Sequence, residues 1–159
     1  MEIRVDIPAG VDNGTIIPIH GQGEPGENGG PAGDFYVVIS VKPHDLFKRD
    51  RDDLFIDIPI NFAQAALGDE IVVPTLAEKV SYKVPAGTQP GTVFRLKGKG
   101  VRNVRSGRMG DLYVKVVLEV PTKLNSEQKK KIKEMGETVD SECYVKKSGF
   151  AAKIKDLFS

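Results

Sequence analysis

"PAGVDNGTIIPIHGQG", residues 8–23, returns 77 positions later as "PAGTQPGTVFRLKGKG", residues 85–100. The overlay runs without a gap from residue 2 to residue 43 and gives twelve identities, six of them glycine. Apolar positions agree as well: Ile3 falls on Val80, Val5 on Tyr82, Ile17 on Phe94, Ile19 on Leu96 and Ile39 on Val116. Gly33-Asp34 and Tyr36-Val37 recur as Gly110-Asp111 and Tyr113-Val114. An internal repeat of this length is a duplicated structural unit.

The repeat also decides how "GQGEPG", residues 21–26, is read. Its GxGxxG spacing matches a dinucleotide fingerprint, which needs a strand before it and a helix opening from it. Here Gly29, Gly30, Pro31 and Gly33 follow, a composition that ends helices. The second copy reads "GKGVRN" and keeps only the two leading glycines. Those two are therefore predicted to form a corner, where the missing Cβ allows φ > 0 or close backbone approach. A flexible loop then returns to the strand that begins Gly-Asp-(Phe/Leu)-Tyr-Val.

Working outward, Phe35 to Val41, Leu54 to Ile60, Glu70 to Pro74 and Leu112 to Val120 are rich in β-branched and aromatic residues and read as strands. Asn61 to Gly68 reads as a helix of one to two turns closed by its glycine. Asp50 to Asp53 is a charged turn. The expected fold is mainly β: tandem small β-sandwich domains with short helices. A full unit spans His44 to Pro121, so the first copy lacks the counterpart of residues 44–77 and is an incomplete domain. This predicts that the chain starts inside a domain.

From Asn125 the pattern becomes helical. Asn125 with Gln128 forms a capping-box pair, and Ile132, Met135 and Val139 recur at helical spacing behind a lysine-rich face. Nearer the end, Phe150, Ile154, Leu157 and Phe158 fall on one face of a terminal helix. With Lys146, Lys147, Lys153 and Lys155 it is expected to dock on protein or fray rather than bind a membrane.

Composition excludes several classes of function. With 23 basic and 22 acidic residues, no global charge favours nucleic acid or a membrane surface. No apolar run reaches transmembrane length and the N-terminus opens no signal peptide. The single Cys143 forms neither a disulfide within the chain nor a zinc site, and a reducing, cytoplasmic compartment fits it. His20 and His44 stand without ligand-spaced partners, and the Asp50, Asp52, Asp53 cluster has no supporting pocket, so no enzyme is expected. Arg102, Arg105 and Arg108 make one loop basic, but no aromatic residue beside them offers a stacking platform for nucleic acid.

"PAGTQPGTVFRLKGKG" followed by "GDLYVKVVLEVP", with "HDLFKRDRDDLFIDIPINFAQAALGDEIVVPTL" before it, resembles the C-terminal substrate-binding region of DnaJ-type J-domain co-chaperones. The resemblance covers residues 2 to about 139. It implies that residues 1–43 end a first substrate-binding β-domain, 44–121 form the second, 122–140 form a dimerisation helix, and 141–159 a basic and apolar tail. It further implies unfolded client polypeptides as partners, a homodimer, and the seventy-kilodalton heat-shock chaperone as partner of the full-length protein. Ile3 and Val37 match the client groove, and Val5 and Ile39 share their faces by two-residue alternation; the expected dimer contact is the apolar stripe of Ile132 and Met135, with Leu124 before the cap and Val139 near the end. The chain has no His-Pro-Asp and no cysteine-rich zinc repeats, so zinc is expected only in the module that full-length relatives carry elsewhere. Ala77-Glu78 stands where the family often has Asp-Gly, which forgoes a preferred hairpin turn. The alternative reading is a structural dimerisation module that holds no client of its own.

Overall fold

A computed structural model describes residues 4–21, 23, 26, 30, 31 and 33–159. It divides into two compact units, residues 1–120 and 121–159. The fold is mainly β. In the first repeat, β1 (Ile16–Ile19) pairs antiparallel with β2 (Phe35–Val38). The second repeat contains β3 (Lys48–Asp50), β4 (Asp53–Ile60), helix α1 (Phe62–Leu67), β5 (Asp69–Pro74), β6 (Lys79–Val84), β7 (Val93–Leu96) and β8 (Leu112–Leu118). Its four-stranded sheet runs β3-β4-β8-β7, with β4 and β8 parallel, and β5-β6 form a separate hairpin.

Alternation builds the core. Leu54, Ile56 and Ile60 of β4 and Leu112, Val114 and Val116 of β8 point to one side of the sheet. There they join Ile71, Val73 and Val84 of the hairpin in one cluster, the β-sandwich-like arrangement the pattern predicted. Helix α1 lies where the sequence placed it, with a capping box between Asn61 and Gln64 and Gly68 ending it at φ +79°. The Thr75–Glu78 turn does without Asp-Gly by using the Thr75 hydroxyl, which accepts from the Glu78 N–H at 2.9 Å and donates to the Glu78 carbonyl at 2.6 Å.

The duplication holds to the residue. Ile16 pairs with Val38 as Val93 pairs with Lys115, and Ile19 with Phe35 as Leu96 with Leu112. Gly21 and Gly98 both have positive φ, +72° and +74°, and each donates its N–H to the aspartate of the Gly-Asp pair, at 3.2 and 2.9 Å. A Cβ on Gly23 would come within 2.7 Å of the Gly33 backbone; one on Gly100 would meet Gly110 at 2.5 Å. The GxG corner is thus one glycine for torsion and one for closeness. The loop after the second corner makes backbone bonds within itself. Asn103 closes it, donating its N–H to the Arg108 carbonyl at 2.7 Å and accepting from the Gly107 N–H at its own carbonyl at 2.9 Å.

Residues 4–7 align with part of β6 but form no strand, and β6 itself bonds only to β5. Helix α2 (Ser126–Thr138) begins at the Asn125–Gln128 capping box, both bonds 2.8 Å. A short 3-10 turn (Ser141–Cys143) leads into α3 (Val145–Leu157), whose Phe150, Ile154 and Leu157 are all exposed. Among the described residues no helix is long and apolar enough to cross a membrane.

Candidate functional site

The β1-β2 ribbon of the first repeat carries the candidate site. Val37, at the centre of β2, is opposite Ile17 of β1 and half-buried. Ile39 follows the strand and continues its ladder, donating its N–H to the Thr15 carbonyl at 2.8 Å and accepting from the Gly14 N–H at 2.9 Å. Two-residue alternation puts Phe35, Val37 and Ile39 on one face with Ile17 and Ile19. Val5 is half-buried in the irregular segment before Pro8. Ile3 lies outside the described residues.

The second repeat is an internal control for this face. The counterparts of Phe35, Val37 and Ile39 are Leu112, Val114 and Val116, all 0% exposed. Phe35 by contrast is 45% exposed, and Val37 and Ile39 are only half-buried. The second face is sealed by the β5-β6 hairpin together with β4. Among the described residues β2 pairs only with β1, whereas β8 pairs with β7 and, in parallel from Leu54 to Ile60, with β4. The opposite face of the ribbon is apolar too, with Ile16, Tyr36 and Val38 60%, 61% and 66% exposed. Sequence reasoning passed over Ile17, Ile19, Phe35 and Tyr36, although the signal was present: each aligns with an apolar or aromatic residue of the second copy.

Ionisable groups here serve the turns. The Gly21 N–H and then the His20 imidazole, at 3.1 Å, hold Asp34 below the usual carboxylate range. The Gly98 N–H and the Arg95 guanidinium do the same for Asp111. His44 Nδ1 accepts from the Leu46 N–H at 3.0 Å, and its ring leans on Phe47, centroids 5.0 Å apart. Among the described residues no three His, Cys, Asp or Glu side chains gather at metal-binding distance.

In the second unit, Leu124, Met135 and Val139 are half-buried and Ile132 is 40% exposed. Val139 caps the end of α2 through its N–H on the Met135 carbonyl, at 2.9 Å. Cys143 is exposed, its thiol 3.8 Å from the Asp140 carboxylate.

Comparison with known proteins adds a family. The family model described as "DnaJ C terminal domain" matches residues 1–121. The chain is 54% identical over 156 residues to a chaperone protein DnaJ of Clostridioides difficile, covering 98% of this chain and 41% of that protein. It is 52% identical over 157 residues to the chaperone protein DnaJ of Ruminiclostridium cellulolyticum, covering 99% and 41%. Against the chaperone protein DnaJ of Geobacillus kaustophilus the identity is 58% over 133 residues, 84% of this chain and 35% of that one. The chain therefore spans about two-fifths of the length of the curated relatives it matches most fully.

Proposed function

The chain belongs to the DnaJ C-terminal domain family, part of a co-chaperone and not an enzyme, and on that premise we propose that it is a client-holding module. Its first repeat, residues 1–43, takes up unfolded polypeptide, with Ile3, Val5, Val37 and Ile39 touching the client. The observation that carries the reading is the apolar face around Val37 and Ile39, half-buried on the β1-β2 ribbon. An unfolded chain offers apolar side chains and unpaired backbone groups, and a sheet edge beside an apolar surface satisfies both by strand addition. The second repeat supports this chemistry, because its equivalent edge accepts a strand of alternating apolar residues, "DLFIDIPI". Single contacts of this kind are weak. A homodimer joined through residues 122–140 presents two sites to one client and strengthens binding through effective concentration. The whole protein works with the seventy-kilodalton heat-shock chaperone in the cytoplasm, and this part needs no cofactor.

The test is suppression of aggregation of a chemically denatured reporter enzyme by the full chain. Protection is expected at modest molar excess, reduced at least about fivefold in Val37→Ser, Ile39→Ser protein that keeps its thermal transition. A labelled peptide of alternating apolar residues should compete for the same surface. No protection even in large excess would leave the alternative, a structural dimerisation module that holds no client.

A further inference from the structure

Between the two repeats lies a cavity of about 430 Å³ lined by Gly10, Asp12, Thr15, Arg49, Arg51, Asp52, Asn103, Val104 and Arg105. Its floor is built by Arg49, which donates through Nη1 to the Val11 carbonyl at 2.7 Å, through Nη2 to Gly10 at 2.8 Å and through Nε to Arg51 at 2.6 Å. Asp12 stands 3.7 Å from Arg49, and Asp52 accepts from the Asn103 amide at 2.8 Å. Both carboxylates and one guanidinium are therefore engaged. Arg51 and Arg105 are left, and among the described residues neither guanidinium has a hydrogen-bond or ion-pair partner. The Thr15 hydroxyl accepts from the Asp12 N–H at 3.1 Å and keeps its own hydrogen to donate.

Arg51 carries a second peculiarity. Its φ is +56°, a left-handed conformation that glycine adopts freely and a long side chain rarely does. It stands in the two-residue turn between β3 and β4, where such a torsion is at home, and that turn, its carbonyl fixed by Arg49, holds Arg51 at the cavity.

We propose that this cavity is a binding site for an acidic peptide segment, one carboxylate held between Arg51 and Arg105 with the Thr15 hydroxyl as a third donor. A planar guanidinium matches a carboxylate bidentately, and the volume suits one or two side chains. Arg102 and Arg108 on the same loop add longer-range attraction for a segment with several acidic residues. A peptide fits better than a nucleic acid because no aromatic residue lines the cavity for base stacking. Thr15 continues the β1 ladder opposite Ile39, so the site adjoins the β1-β2 face, but Arg51 and Arg105 belong to the second repeat and their substitution leaves the apolar residues of that face unchanged.

Fluorescence anisotropy with the full chain tests it, using a labelled decapeptide alternating glutamate and serine, the same peptide with glutamine, and a ten-nucleotide oligothymidylate. The glutamate peptide should bind and weaken with added salt, and the glutamine peptide should bind at least about tenfold more weakly. Arg51→Gly relieves the torsion and Arg105→Gln sits on an exposed loop, so the double variant is expected to melt no lower than the parent. Its affinity for the glutamate peptide should fall at least about tenfold. Equal binding of the two peptides, absence of binding, or an unaltered double variant would each overturn the proposal. So would tighter binding of the oligothymidylate that the same two substitutions abolish.

Discussion

Asp34 and Asp111 occupy the same place in the two repeats, yet the repeats surround them differently. Each accepts the N–H of the positive-φ glycine 13 positions before it, Gly21 or Gly98. Asp111 also receives Arg95, whose Nε is 2.7 Å away, while Asp34 receives His20 at 3.1 Å. The Gly98 N–H first, then Arg95, depress the Asp111 carboxyl below its ordinary value of 3.8. A depressed folded value means that the unfolded chain takes up a proton at higher pH than the folded chain does. The resulting stability is complete above the unfolded value and is lost as pH falls through the folded one. Asp111→Asn should therefore lower stability most near neutrality and converge on the parent as pH falls through the depressed range of the folded carboxyl. Urea unfolding of both proteins at several pH values checks this; a stability gap constant from neutral to acid pH contradicts it. These pairs were only half legible in the sequence. The repeated Gly-Asp was visible, but its glycine partner lies across a loop that no periodicity spans.

Secondary-structure elements were readable where pairing and sequence agreed, and misread where a partner strand was required. Helices α1 and α2 were fixed by local chemistry, an asparagine cap with a glutamine three residues on, and both appear at the expected ends. Residues 4–7 align with β6 yet form no strand, because a strand is stabilised by its neighbour and not by its own pattern. The positions proposed to touch client share this ambiguity: alternation groups Val37 with Ile39, but what covers that face is set by elements elsewhere. Helix α2 poses the corresponding question about a partner chain. Thirteen residues are marginal as an isolated helix in water, and its stripe of Ile132 and Met135 is narrow. Full burial of both side chains would contribute roughly 3–6 kcal/mol per chain before ordering costs, enough to order the helix against a second copy but not for tight pairing. The double substitution Ile132→Asp, Met135→Asp should convert a dimer into a folded monomer in sedimentation velocity, with the β-sheet circular dichroism retained. A dimer that survives it has its interface elsewhere.

Across residues 1–120 the apolar core is unevenly shared. Every fully buried hydrophobic residue among those described, from Phe47 to Val116, belongs to the second repeat. Backbone bonding does not follow this division. The Ile39 N–H donates to the Thr15 carbonyl at 2.8 Å, and its counterpart on Val116 donates to Thr92 at 3.0 Å. These are the same bond in the same register, one beside a half-exposed side chain and the other beside one that is 0% exposed. If hydrogen bonding alone governed local stability, the two amides would exchange with solvent alike. If burial governs it, opening the first repeat exposes little additional apolar surface, while opening β8 uncovers the whole core from Leu54 to Val84. Burial is the larger effect, because a net hydrogen bond is worth about 1 kcal/mol whereas each sealed valine or leucine contributes about 1.5–3 kcal/mol. Native-state hydrogen exchange should therefore find the Val116 amide slower than that of Ile39 by at least about a hundredfold, with Ile56 and Val114 near the slow end and Val37 grouped with Ile39. Such a gradient would leave the second repeat as the more rigid part of residues 1–120 and the first as the more adaptable one. Matching protection at Ile39 and Val116 would mean that the β1-β2 ribbon is as cooperative as the complete sandwich, and the case for an adaptable client surface there would fail.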